Sequence, residues 1–75
     1  MAKVILNSWR EGFEKVSLTK LQVGMLGKSL KDSKTNVDEL LSDKKVVIEI
    51  DDWELANEFL KNAEKIGVNC TLLSD

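Results

Sequence analysis

The chain has 75 residues, of which 43% are hydrophobic and 32% charged, with a net charge of −2; this composition is typical of one small globular domain over 1–75. It contains no histidine and one cysteine, which excludes histidine-based catalytic triads, histidine metal sites and an internal disulfide. Because no apolar run reaches the roughly 18 to 20 residues of a membrane span, we expect a cytoplasmic protein. Because these catalytic and metal-binding residue types are missing, we expect that it is not an enzyme and has no cofactor or metal.

The first predicted element is a strand. Lys3 to Asn7 is a short apolar run with β-branched residues, which places Val4 and Leu6 on one face. Residues 7–12 mix polar side chains with Trp9 and end in a glycine, as a connection does. We expect Trp9 to cover the edge of the core, with a partner contact as the alternative.

A helix from about Phe13 to Leu26 follows, and it is apolar on two sides. The predicted buried stripe has i, i+3, i+7 spacing and consists of Leu18, Leu21 and Met25. The opposite side carries Val16, Thr19, Lys20 and Val23. A helix in a two-layer domain normally buries one stripe, so the second one indicates packing on both sides or an exposed interaction surface.

A second helix is predicted from about Leu30 to Leu41, after a corner that contains Gly24 and Gly27. Ser29 followed by Asp32 is typical of a capping box at its start. The expected buried side consists of Leu30, Val37 and Leu41, flanked by Ser33 and Leu40.

The remaining elements are a strand, a helix and a strand. Val46 to Ile50 alternates as a strand does, and Asp51 or Asp52 then caps a helix whose apolar stripe ends at Gly67. The last strand is predicted where Val68, Cys70 and Leu72 alternate with Asn69, Thr71 and Leu73. Trp53, in the first turn of the helix, is expected to cover the core edge, with an interface role as the alternative.

The order of elements predicts an α+β fold of the two-layer, split βαβ type. A right-handed crossover makes the last two strands parallel, and the first strand fits between them, antiparallel to both. The fold class is therefore β-α-α-β-α-β, with a three-stranded antiparallel/mixed sheet and three helices on one face.

Charge is divided unevenly along the chain. Residues up to Lys34 include seven basic and three acidic side chains, and the remainder includes four basic and ten acidic ones. An apolar patch with lysines around it is typical of docking on an acidic protein. The alternatives are a solvated lysine face and a homodimer contact, whereas nucleic acid is not expected because stacking aromatics and arginines are not interleaved with the lysines.

The segment KVSLTKLQVGMLGKSLKDSKTNVDELL resembles the C-terminal domain of the bacterial large-subunit ribosomal stalk protein, of the L-seven/L-twelve family. The family segment runs approximately K-V-x-V-I-K-x-V-R-x-x-T-G-L-G-L-K-E-A-K-x-x-V-E, and the chain follows it without a gap from Lys15 to Asp38. The identical positions are Lys15, Val16, Lys20, Gly27, Leu30, Lys31, Lys34 and Val37.

In that family the domain binds translational GTPases, including elongation factors G and Tu, through its first two helices. The resemblance implies that the partner-binding residues are Val16, Thr19, Lys20, Val23, Lys31 and Lys34. Val23 stands where the family has an arginine, Thr19 replaces an isoleucine, and Lys28-Ser29 replace a Leu-Gly pair, so the contact is expected to be weakened or retargeted. Because the sequence starts at the first strand, without the family's dimerisation helices and hinge, we expect a stand-alone domain.

The expected function is a non-enzymatic protein-protein interaction module that mimics or modulates the contacts of the ribosomal stalk with a GTPase of the elongation factor G or Tu type. The alternative is an adaptor similar to ClpS that uses the same fold to bind a protease, a polymerase or itself. Cys70-Thr71-Leu72 resembles the adaptor, but the Asn-Asp-Asp…Thr-Pro-Met-Glu segment is missing. We expect a monomer or weak homodimer that binds neither membrane nor nucleic acid.

Overall fold

A computed structural model describes residues 2–74. The elements in chain order are β1 (Ala2–Trp9), α1 (Lys15–Leu26), α2 (Leu30–Leu41), β2 (Val46–Ile50), α3 (Trp53–Lys65) and β3 (Val68–Ser74). The predicted β-α-α-β-α-β order of an α+β domain is confirmed. The bounds of α2 and β2 are those predicted, whereas α1 begins two residues later than Phe13.

The three strands form one sheet in the order β2-β1-β3, and β1 is antiparallel to both neighbours. The strands β2 and β3 are therefore parallel, as the crossover through α3 predicts. Val4, in the middle of β1, pairs with Ile48 on one side and Leu72 on the other.

The first strand is longer than predicted, because Ser8 and Trp9 of the predicted connection at residues 7–12 belong to β1. The register against β3 shifts between Leu6 and Ser8, so Asn7 is the extra residue of a β-bulge, which allows pairing to continue to Trp9. The Asn7 side chain Nδ2 donates to Thr71 Oγ1 at 2.8 Å. This side-chain bond spans the two strands at the position where the regular register is interrupted.

The core lies between the sheet and the helices. Every second residue is buried against it in β1 as far as Leu6 and throughout β2, and Phe59 of α3 is the largest fully buried side chain. The helices α2 and α3 pack directly on the sheet, and α1 packs mainly against α2 and α3. The other buried apolar side chains of the helices are Leu18, Val37, Leu40, Ala56 and Ala63.

The buried side of α2 differs from the prediction. It consists of Ser33, Val37 and Leu40, at i, i+4, i+7 spacing. Leu30 is 55% exposed, because it is the first residue of α2 and lies one turn before the first buried residue, Ser33, and Leu41 is half-buried. The expected buried position of Leu30 was therefore wrong.

The helix starts follow the capping signals of the sequence. Ser29 Oγ accepts a hydrogen bond from the Asp32 backbone N–H at 3.0 Å, and Asp52, not Asp51, caps α3 by accepting from the Glu54 N–H at 2.9 Å. Each cap satisfies one of the backbone donors that a helix start leaves free. None of the helices between residues 2 and 74 is both long and apolar enough to cross a bilayer.

Candidate functional site

The outward side of α1 is determined by its place in the fold. Because α1 packs mainly on α2 and α3, Leu18 is turned into the core and the side opposite to it is left to solvent. The helix ends at Gly27, whose φ of 65° is left-handed and whose N–H donates to the Gln22 carbonyl. This corner returns the chain directly into α2, which packs beside α1.

The second apolar stripe of α1 is exposed. Val16 is 60% exposed and Val23 is 40% exposed, and Lys20 lies between them on the same side of the helix. We call these three residues the α1 ridge. Of the two explanations for a helix with two apolar sides, packing on both sides is thus excluded for Val16 and Val23.

A cleft of about 240 Å³ separates α1 from α2 next to this ridge. Val16 and Thr19 line it from α1, and Lys34 and Asp38 line it from α2. The Thr19 hydroxyl donates to the Lys15 carbonyl at 3.2 Å, so this hydroxyl is already paired. The cleft therefore combines apolar carbons with charges of both signs.

The six predicted partner-binding residues do not form one continuous lining. Val16, Thr19 and Lys34 line the cleft between α1 and α2. Lys20 lines a groove on the other flank of α1, between α1 and α3. Val23 and Lys31 are exposed and line neither depression.

A buried polar cluster fixes α2 against α1, and sequence reasoning missed it. Gln22 is fully buried; its Nε2 donates to the Leu18 carbonyl at 3.3 Å and to the Ser33 carbonyl at 3.2 Å. Its Oε1 accepts from Asn36 Nδ2 at 2.8 Å. Because these bonds join the two helices, Gln22 positions both walls of the cleft. The available signal was its i+4 spacing from Leu18, which places it near the buried stripe.

The thiol of Cys70, on β3, is partly buried. Desolvation by burial, and then the charge of Glu64, raise the pKa of the Cys70 thiol to about 12, although Arg10 opposes the shift. The thiol is therefore protonated at neutral pH, and a thiol is a much weaker nucleophile than a thiolate. Among residues 2–74, no group of three or more Cys, Asp or Glu side chains has an arrangement that could hold a metal ion.

Comparison with protein-family models, with curated proteins and with solved structures gives no significant match to this chain.

Proposed function

We propose that this protein is a non-enzymatic protein-binding module that uses the α1 ridge and the adjoining side of α2 to bind an acidic surface of another protein. The observation that carries the proposal is the exposure of Val16 and Val23 on a helix. Valine is a poor helix former, and an exposed valine adds nothing to the core, so the fold gives no reason for either residue. A contact with a partner would explain why both positions are valine.

The charges around the ridge favour an acidic partner. Lys20, Lys31 and Lys34 are all exposed on the two helices concerned. Lysines at the rim of an interface raise the rate of encounter with an acidic surface, whereas apolar contact at its centre contributes most of the affinity. The single lining acid of the cleft, Asp38, would favour a partner that places a basic or uncharged group at that end.

The proposed partner class is a translational GTPase of the elongation factor G or Tu type. Its support is the similarity of residues 15–38 to the stalk domain, whose GTPase-binding positions correspond to the α1 ridge and to Thr19, Lys31 and Lys34. A module of this kind would imitate or modulate stalk contacts in the cytoplasm. The valine at position 23, where the family has an arginine, would weaken or redirect that contact.

A titration of the ¹⁵N-labelled protein with purified elongation factor G, and separately with factor Tu, tests the proposal. The amide signals of residues 16–23 and 31–34 should shift or broaden first. Val23→Glu and Lys34→Glu should each raise the dissociation constant about tenfold, or ~1.4 kcal/mol. Lys44→Glu makes the same charge change in the turn after α2 and should have little effect.

Further measurements separate the partner class from the surface itself. Val23→Arg restores the family residue and should tighten binding of the GTPase. If neither factor binds at near-millimolar concentration, the GTPase proposal is refuted. If instead a Clp protease subunit binds and Val23→Glu weakens it, the adaptor alternative is supported. Sedimentation at several concentrations tests self-association, because a dimer makes the apparent mass depend on concentration.

A further inference from the structure

A second groove lies on the other flank of α1, between α1 and α3. Its volume is about 490 Å³, roughly twice that of the cleft between α1 and α2. This volume falls within the range of about 300 to 1,000 Å³ that is usual for ligand pockets. The apolar side chains of the lining are Leu21, Met25 and Ile66, all half-buried.

The groove contains a glycine that the fold does not require. Gly24 lies inside α1, it is not among the glycines with a positive φ, and a Cβ added to it would meet no atom within 4 Å. Glycine is the least favourable residue in a helix interior apart from proline, so alanine at this position would suit α1 better. Glycine does allow another molecule to approach the helix backbone closely. Since Gly24 lines the groove, a molecule bound there, close to the helix backbone, would explain why this position is a glycine.

The charged side chains that line the groove are both lysines. Lys20 comes from α1 and Lys65 from α3, so each wall contributes one positive charge. The Asn62 side chain lies in the same wall as Lys65, and its Nδ2 donates to the Glu58 carbonyl at 2.9 Å. Ser17 also lines the groove, and its Oγ donates to the Glu14 carboxylate at 3.3 Å, so an acidic group lies next to this part of the lining.

We propose that the groove between α1 and α3 binds a short segment of another protein in which one large apolar side chain is flanked by aspartate or glutamate. The apolar side chain lies over Leu21, Met25 and Ile66, and the segment's backbone passes close to Gly24. The flanking carboxylates pair with Lys20 and Lys65. This site is separate from the surface formed by the α1 ridge and the adjoining side of α2, and Lys20 is the residue that the two have in common.

The probe is a fluorescein-labelled synthetic peptide of about twelve residues with a central Phe between pairs of glutamates. Two control peptides replace Phe by Ser, or the four glutamates by glutamines. Fluorescence anisotropy should show saturable binding of the first peptide and at least tenfold weaker binding of both controls, since loss of an apolar anchor or of its ion pairs typically has that effect. In a ¹⁵N titration the amides of residues 20–25 and 62–66 should shift.

Variants of the protein connect the binding to the groove. Gly24→Leu places a large side chain in the groove, and Lys65→Glu reverses the charge of one wall. Each variant should weaken the binding of the peptide about tenfold. Lys61→Glu is the matched control, because it is an exposed lysine one turn earlier in α3 that does not line the groove. If Gly24→Leu fails to fold, Gly24→Ala replaces it, because alanine suits the helix and meets no neighbouring atom.

Three results would overturn the inference. The first is no saturation of the glutamate peptide at millimolar concentration. The second is equal binding of the glutamine peptide. The third is a set of shifts centred on Val16 and Lys34 instead of residues 62–66, which would support the surface between α1 and α2 and reject the groove. Peptide binding in the groove by a protein that binds neither elongation factor would reject the GTPase proposal alone.

Discussion

Replacing Gly67 by alanine should show how the corner between α3 and β3 holds the loop before α1. Gly67 has a φ of 99°, and a Cβ at this position would lie 2.8 Å from Phe13 Cα and 3.1 Å from Phe13 N. The Gly67 carbonyl accepts from the Arg10 N–H at 2.7 Å, and the neighbouring Ile66 carbonyl accepts from the Glu14 N–H at 3.0 Å. An alanine would push the loop away and break these two bonds.

The magnitude follows from two terms. A left-handed alanine costs about 1–2 kcal/mol, and two lost backbone hydrogen bonds cost about 0.5–1.5 kcal/mol each. The free energy of unfolding should therefore fall by ~2–5 kcal/mol. At about 0.05–0.15 kcal/mol per residue, a chain of 75 residues has a total of only ~4–11 kcal/mol, so the expected loss is a large fraction of the whole stability.

Gly12→Ala is the matched control. Gly12 has a φ of 89°, but nothing lies within 4 Å of an added Cβ, so only the backbone term of about 1–2 kcal/mol applies. Urea denaturation of both variants, monitored by tryptophan fluorescence and circular dichroism, gives their free energies of unfolding. If Gly67→Ala is no more destabilising than Gly12→Ala, the close contact with Phe13 has no energetic weight and the reasoning is refuted.

Three other outcomes can be measured in the same way. Ser33 Oγ is buried without a hydrogen-bond partner among residues 2–74, so Ser33→Ala should raise the free energy of unfolding by ~0.5–1 kcal/mol; a lower Tm would contradict this. Gln22→Leu leaves the Asn36 amide without its acceptor and should lower the free energy by ~1–3 kcal/mol, whereas an unchanged value would show that the cluster is dispensable. Burial raises the pKa of the Cys70 thiol from 9.0 to about 12, so the unfolded chain ionises first and stability should fall between pH 9 and 12 relative to Cys70→Ala; parallel pH profiles of the two proteins would reject this.

The sequence predicts most of the fold because local rules and tertiary packing agree in its strongest elements. In α3, Ala56, Phe59 and Ala63 follow one stripe, and all three are buried. The predictions fail where one residue does not continue the regular pairing or burial pattern of its element. The bulge at Asn7 prolongs β1, and Leu30 is exposed because the buried stripe of α2 starts one turn later. Both tryptophans were expected to cover the edge of the core, but each leaves a large part of its surface in solvent, since Trp9 is 41% and Trp53 is 49% exposed.

The candidate site was predictable in part. The angle between successive helical residues places Val16 and Val23 opposite Leu18, but only the structure shows that this side of α1 is not covered by another element, so that both valines are exposed. The same angle cannot show that Thr19 and Lys34 line one cleft, because that depends on the corner at Gly27 and on how Gln22 joins the two helices.

The sequence by itself determined the order of the elements and the sheet topology, because periodicity and capping are properties of neighbouring residues and a crossover through a helix is right-handed. Only the tertiary structure decided that α1 packs mainly on the other helices, with a depression on each flank. The groove next to Gly24 combines residues that are far apart in the sequence, such as Lys20 and Lys65. Their proximity results from the packing of α1 on α3, which no local pattern encodes.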